Sequence, residues 1–215
     1  MTGQPVSRRD ADLTAKARIR YAALALYAEK GFGITIREIA DRAGVSSGLI
    51  TFHFGTKEAL RTTVEEMVFE QFWEVIHAGA GDASAAEQAR RRAMVDALRH
   101  DPALVGFFRH VILDDSPQSH DFILRLAQLE SSQLAEQQVE GTTRQVDDPE
   151  MVAFLITALH IGLLTLVPVL EHTLQAPFLS NQVLDRWFDA QYDLLTNGLF
   201  RDSKPKMAAT RKRHR

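Results

Sequence analysis

Residues 33–60 hold three helix-start signals within 28 residues. The stretch reads GITIREIADRAGVSSGLITFHFGTKEAL, and Thr35, Ser46 and Thr56 each stand where a side-chain oxygen caps a new helix. Helices spaced so closely have only two or three turns each, and helices of that length are barely stable alone. The chain therefore requires a short helix at this place, held at a fixed angle to its neighbour.

The first two of these helices form a helix-turn-helix. Thr35 and Glu38 make a capping box, in which each side chain accepts a hydrogen bond from the other residue's backbone N–H. Gly44 ends this helix, and Ser46 starts a second one of about seven residues. A short second helix suits a DNA major groove, where its N-terminal residues meet base edges. A plain helical hairpin with polar exposure is the alternative.

The two faces of this motif differ in chemistry. The apolar residues expected to pack against the first helix are Ile36, Ile39, Ala40, Val45, Ile50 and Phe54. The residues expected to point outward are Arg37, Ser47, Gly48, Thr51, Phe52 and His53. Arg37 suits a bidentate pair with guanine, and an outward Phe52 suits contact with a thymine methyl. Lys57, at the start of the third helix, suits a phosphate clamp.

This region resembles the tetracycline-repressor (TetR) family of bacterial transcription regulators. The similar segments are residues 22–32, 35–40, 43–46 and 54–60, together about a fifth of the chain. The family commonly has two tyrosines near the end of its recognition helix, and Thr51 and His53 stand in those places here. The DNA-contacting residues that the resemblance and the outward face predict are Thr35, Arg37, Ser46, Ser47, Gly48, Leu49, Thr51, Phe52, His53 and Lys57.

Charge divides along the chain and agrees with a DNA-binding N-terminal part. Residues 1–62 carry ten Lys/Arg and six Asp/Glu, residues 63–200 eight and twenty-one, and residues 201–215 seven and one. The balances of +4, −13 and +6 sum to the net −3. An acidic centre between basic ends suggests that the N-terminal segment, and not the whole molecule, meets a polyanion.

The rest of the chain is predicted to be helical throughout, which makes the fold all-α. The expected helices cover residues 14–30, 57–78, 84–99, 102–114, 119–139, 149–173 and 181–199. The expected domains are a flexible arm (1–12), the helix-turn-helix domain (13–58), a C-terminal helical ligand-binding and dimerisation domain (59–200) and a basic tail (201–215). The absence of cysteine excludes disulfides and Cys-ligated metals, and the N-terminus lacks a signal-peptide pattern, so we expect a cytoplasmic protein.

Residues 151–170 form an uncharged run of twenty residues, which is long enough to span a bilayer. Its flanks are acidic and carry no Lys/Arg anchors or aromatic belt. The favoured interpretation is therefore a helix buried in the core or in a dimer interface, and a membrane partner is not expected.

The resemblance also implies a homodimer that forms through the last two long helices, and a small-molecule site in the acidic region. The predicted interface residues are Leu159, Leu163, Leu166, Val183, Leu184, Trp187, Phe188, Leu194 and Leu195. The candidate pocket residues are Phe69, Phe72, Trp73, Phe107, Phe108, His110, Phe122, Leu126 and His160. A mostly apolar effector suits such a lining, although each of these side chains is more typical of a packed core.

These observations predict a repressor that binds a palindromic operator in double-stranded DNA as a dimer and is released by a small molecule. Glu74 and His77 make one Glu-x-x-His pair, but di-iron sites need a second copy, so no metal or other cofactor is expected. No catalytic motif appears. The alternatives are an architectural or occlusion protein without an effector, and a helical enzyme or carrier with an incidental helix-turn-helix.

Overall fold

The computed structural model describes residues 15–76 and 83–197, and these fold into helices with no β-strand among them. The α-helices are α1 (Ala15–Lys30), α2 (Ile36–Ala43), α3 (Ser47–Phe54), α4 (Lys57–Ile76), α5 (Ala83–His100), α6 (Ala103–Leu113), α7 (Pro117–Glu140), α8 (Pro149–Ile161), α9 (Val167–Leu174) and α10 (Asn181–Asn197). The all-α prediction is confirmed. The expected arm (1–12) and tail (201–215) lie outside the described residues.

The helix expected over residues 149–173 changes its winding part-way. Between α8 and α9, Gly162–Leu166 forms a 3₁₀ segment. Pro168 follows two residues after this segment, and proline has no N–H to donate to the carbonyl four residues earlier. The Thr165 hydroxyl donates to the Gly162 carbonyl at 2.7 Å, which supports the tightened turn.

This helical stretch, Pro149–Leu174, is long and apolar enough to cross a membrane by length and composition alone, with a mean hydropathy of 2.2. Only 29% of its most apolar window is buried within the chain. Burial in the chain's own core therefore does not account for its composition.

The described chain divides into two compact units, residues 15–175 and residues 176–197. In the first unit, we call α1–α3 (15–54) the reading head and α4–α9 (57–174) the body. The second unit contains α10, where Phe178 packs edge-on against Trp187 with ring centroids 5.5 Å apart. The domain boundary expected near residue 58 stays a prediction.

The first unit is held together by α1, which packs against both α4 and α6. Ile19, Tyr27 and other residues of its apolar face are fully buried, as the helical spacing predicts. Gly106 of α6 lies so close to α1 that a Cβ there would stand 2.6 Å from the Ala28 carbonyl oxygen. A glycine is therefore required where the head meets the body.

Candidate nucleic-acid interface

The capping box at the start of α2 has the geometry that the sequence predicts. The Glu38 N–H donates to the Thr35 hydroxyl at 3.2 Å, and the Thr35 N–H donates to a Glu38 carboxylate oxygen at 2.8 Å. The Lys30 ammonium donates to the other carboxylate oxygen at 3.0 Å. The backbone bond from Thr35, followed by the bond from Lys30, lowers the pKa of Glu38 to about 2. The box thus sets the orientation of α2.

The turn and the recognition helix, α3, also follow local signals. Gly44 ends α2 in the left-handed conformation, with φ of 66°, which glycine adopts without strain. The Ser46 hydroxyl accepts the Leu49 N–H at 3.2 Å and so caps α3. Ile50 and Phe54 are buried against the rest of the head and anchor one side of α3.

The opposite side of the motif is open to solvent. Of the ten predicted DNA contacts, Leu49 and Lys57 are half-buried and the others are exposed; these are Thr35, Arg37, Ser46, Ser47, Gly48, Thr51, Phe52 and His53. Phe52 is 81% exposed, which is unusual for a residue as large and apolar as phenylalanine. The Thr51 hydroxyl donates to the Ser47 carbonyl at 3.2 Å, so its hydrogen is already used within the helix.

Ion pairs neutralise cations elsewhere on the reading head. Lys30 pairs with Glu38 at 3.0 Å and Arg42 pairs with Glu29 at 2.9 Å. Among the described residues, neither Arg37 nor Lys57 has an acidic partner within ion-pair distance. Arg37 of the head and Lys57 at the start of the body therefore keep their charge beside α3, where a phosphate backbone would lie.

Lys16 joins this surface, and sequence reasoning missed it. Its ammonium lies 5.8 Å from the centroid of the Phe54 ring, which places a cation at the end of α3. Lys16 is exposed and 38 residues away in sequence, so no local pattern connects it to the recognition helix. Only the packing of α1 across the motif brings the two together.

Five of the nine candidate pocket residues form a packed aromatic core. Phe107, Phe108 and Phe122 contact one another with centroids 5.9 to 6.1 Å apart, and Phe72 contacts Phe108 at 4.7 Å. All four rings and Leu126 are buried. Edge-to-face packing of this kind is typical of a core.

The other four candidates lie apart from this cluster. Phe69 and Trp73 line an open cleft of about 240 Å³ between α4 and α7. His110 faces the backbone of Gly31, and the His160 ring lies 3.0 Å from a Glu130 carboxylate oxygen. The nine candidates therefore do not line one cavity, and a ligand site among them stays a prediction.

A second cleft, of about 360 Å³, lies between α4 and α5 and has both polar and apolar side chains in its lining. Its lining residues are Gln71, Glu74, Val75, Ala93, Asp96, Ala97, His100 and Asp101. Burial raises the pKa of the Asp101 carboxyl. No group of three potential metal ligands occurs in the described residues, and His77, half of the Glu-x-x-His pair, lies outside them.

The predicted interface residues vary in exposure. Leu166, Leu194 and Leu195 are exposed; Leu159, Trp187 and Phe188 are half-buried; Val183 and Leu184 are buried; and the Leu163 side chain is outside the described part of the chain. The helix α8 is predicted to contribute to the interface, but the predicted residues do not include its exposed apolar face, which consists of Met151, Phe154 and Leu155. Their spacing of three and four residues puts them on one side of the helix.

Comparison with known proteins identifies the N-terminal motif. Residues 19–64 match the family model described as bacterial regulatory proteins of the tetR family. The N-terminal part of the chain therefore carries a TetR-family DNA-binding motif. Over 63 residues, this chain is 51% identical to the HTH-type transcriptional regulatory protein RaaS of Mycobacterium tuberculosis. That match covers 29% of the chain and 30% of RaaS, so it spans less than a third of either protein.

Solved structures extend the likeness to the whole fold. The transcriptional regulator FadR from Bacillus subtilis, solved in complex with stearoyl-CoA, has a TM-score of 0.68 and 18% identity over 86% of this chain and 99% of its own. A gamma-butyrolactone receptor has a TM-score of 0.60 and 19% identity over 88% and 89% of the two chains. At these identities the likeness shows the fold alone: the family's helix-turn-helix followed by a helical C-terminal region.

Proposed function

We propose that this protein is a TetR-family transcriptional regulator that reads double-stranded DNA with α3. The observation that carries the proposal is the distribution of charge on the reading head. Lys30 and Arg42 are neutralised by carboxylates, whereas Lys16, Arg37 and Lys57 surround an exposed recognition helix. Arg37 and the residues of α3 contact base edges in the major groove, and Lys16 and Lys57 contact phosphates.

The regulator acts as a homodimer on a palindromic operator. The exposed Met151, Phe154 and Leu155 of α8 supply an apolar face that a second copy would cover. A two-fold dimer places two copies of α3 about one DNA turn, ~34 Å, apart. Covering this face with protein also favours a cytoplasmic location over a membrane.

A small molecule bound by the body is proposed to release the protein from DNA, as in a repressor. Such a molecule changes DNA affinity only by its preference between two arrangements of the heads, about 1–3 kcal/mol of coupling. FadR was solved with stearoyl-CoA, which makes acyl-CoA thioesters of different chain length reasonable first probes. Loss of operator binding on their addition would support an acyl effector.

A second candidate is a DNA-binding protein that has no effector. The specific observation in its favour is the mutual packing of Phe107, Phe108 and Phe122, which leaves no room for a ligand between these rings. If a wide panel of acyl-CoA and lactone probes neither weakens operator binding nor raises the midpoint of thermal unfolding, this candidate is preferred.

The first experiment is selection of bound duplexes from a random-sequence DNA pool. We expect a two-fold symmetric motif with half-sites about one turn apart. The matched control is the double variant Arg37→Ala/Lys57→Ala, which should bind all duplexes more weakly and recover a motif with relaxed base preference at one position. Recovery of unselected DNA by the unaltered protein would refute the proposed function.

A further inference from the structure

Arg61, near the start of α4, is a buried arginine with three side-chain hydrogen-bond acceptors. Its side chain is only 10% exposed. Nε donates to Glu65 at 2.8 Å and Nη1 donates to Asp114 at 3.0 Å. Nη2 donates to the Ser119 hydroxyl. One guanidinium thus connects α4 to the corner between α6 and α7.

The same guanidinium contacts the reading head. Its central carbon lies 3.5 Å from the centroid of the Phe32 ring, in the segment that joins α1 to α2. Phe32 in turn packs edge-on against Phe107 of α6 at 5.9 Å, and its ring is tilted against Tyr27 of α1 at 5.1 Å. Arg61 therefore touches the head on one face and the body at its edges.

The carboxylates that accept hydrogen bonds from Arg61 are themselves fixed by further hydrogen bonds. The hydroxyls of Ser116 and Ser119 donate to the Asp114 oxygen at 2.6 and 2.7 Å, and Gln118 donates to Glu65 at 2.8 Å. Burial alone would raise the pKa of Asp114, but these hydroxyls and Arg61 together lower it. The carboxylate is thus kept charged, and the α6–α7 corner offers Arg61 a fixed set of acceptors.

A buried ion pair is weak evidence for stability, because desolvation offsets much of its Coulomb energy. The acceptors around Arg61 nevertheless fix the orientation of its side chain. A planar guanidinium can satisfy several acceptors and stack on a ring in only one orientation. The Arg61 bonds therefore add a directional constraint to the apolar packing of α1 against α6. The network therefore restricts how the head is oriented on the body.

We infer that Arg61 is a positioning residue that sets the angle of the reading head, and that in the dimer it determines which half-site spacing is bound. The inference rests on the proposed function, because spacing has meaning only for two heads on one operator. Arg61 does not touch DNA in this role. It acts through Phe32 on one side and through Asp114 and Ser119 on the other.

The test is a series of duplexes in which the selected operator has one or two base pairs added or removed between its half-sites. We expect the unaltered protein to lose affinity by about tenfold or more at each altered spacing. Arg61→Lys keeps the charge but loses the planar fork, and Ser119→Ala removes the hydroxyl that accepts from Arg61 and donates to Asp114. In both variants, the loss of DNA affinity at altered spacings (the spacing penalty) should be severalfold smaller. Base preference within a half-site should stay the same.

Arg125→Lys is the matched control. Arg125 also stacks on a phenylalanine, with its guanidinium carbon 4.4 Å from the Phe69 ring, but both residues belong to the body. It should leave the spacing profile unchanged. Ser119→Ala keeps the test valid if Arg61→Lys does not fold, and circular dichroism and the unfolding midpoint decide that question for each variant.

Failure of this inference can be distinguished from failure of the proposed function. If the unaltered protein selects a symmetric motif but folded variants keep its full spacing penalty, the role of Arg61 is refuted and the regulator remains. If the unaltered protein tolerates every spacing, the heads are not positioned by Arg61 or by any other contact. If no motif is selected, the proposed function fails first.

Discussion

The reading head and the body differ in where their structure is encoded. In the head, α2 and α3 begin at Thr35 and Ser46, whose hydroxyls bond backbone groups three residues away. In the body, α7 and α8 also begin at side-chain caps, Ser116 and Asp148, whereas α9 begins after Leu166 without one. Local signals thus define the functional surface of the head, whereas in the body they set helix starts and contacts between distant segments decide how the helices pack. The following predictions test this difference, beginning with the largest expected effect.

The junction between the two regions should be intolerant of any added volume. Gly106→Ala would place a methyl group 2.6 Å from the Ala28 carbonyl oxygen, so α1 and α6 must separate. Overpacking of this kind costs about 1–3 kcal/mol. Urea denaturation measures the loss in the free energy of unfolding.

Gly48→Ala is the matched control within the head, since a methyl group there would meet only the Ser46 oxygen at 4.0 Å. It should raise the free energy of unfolding by about 0.4–1 kcal/mol while weakening DNA binding. Equal stability changes at the two glycines would contradict the junction described above.

Base reading and phosphate contact should separate on the head surface. Arg37→Ala is expected to cost about 1–3 kcal/mol of binding and to relax base preference at one position. Lys57→Ala should weaken all sequences alike and reduce the salt slope by about one unit. Binding titrations on operator variants at several salt concentrations measure both effects. Arg42→Ala, which removes the partner of Glu29, is the control and should change binding little.

Loss of a cap should affect the head more than loss of a similar hydroxyl in the body. Thr35→Ala removes the N-cap of α2 and should lower the free energy of unfolding by about 0.5–2 kcal/mol. Thr173→Ala removes an exposed hydroxyl that donates to the Val169 carbonyl at 2.8 Å within α9. It should change stability by less than about 0.5 kcal/mol. The opposite order in thermal unfolding would argue against local encoding of the head.

The capping box should add a small dependence of stability on acid pH. The pKa of Glu38 is lowered from 4.5 to about 2 by its bonds to Thr35 and Lys30. A lowered pKa means that the folded state binds fewer protons than the unfolded state, so the contribution is complete above pH 4.5. It is lost as the pH falls toward 2. The difference in unfolding free energy between the protein and Glu38→Gln should shrink across this window.

Glu66→Gln serves as the control, because it removes the same charge from an exposed position on α4. Its difference from the unaltered protein should stay nearly constant over the same pH range. A parallel decline for both variants would assign the effect to overall charge and not to the capping box.

Much of the structure of the head could be predicted from the sequence, because the interactions that define it join residues that are close together in the chain. Thr35, Glu38, Gly44 and Ser46 act on backbone groups within a few residues of themselves. Their chemistry therefore determines where the helices begin and end, whatever packs around them. The same pattern also predicted which face of α3 is exposed, because Ile50 and Phe54 turn the apolar side inward.

The rest was decided only in the tertiary structure, because it depends on residues far apart in the chain. Helical spacing marks Phe107, Phe108 and Phe122 as apolar, but it cannot tell a cavity lining from rings packed against one another. Nothing near Lys16 indicates that it lies beside Phe54. Arg61 reads as one more charge on a helix, yet bonds to Asp114 and Ser119, more than 50 residues away, bury it at the junction of head and body.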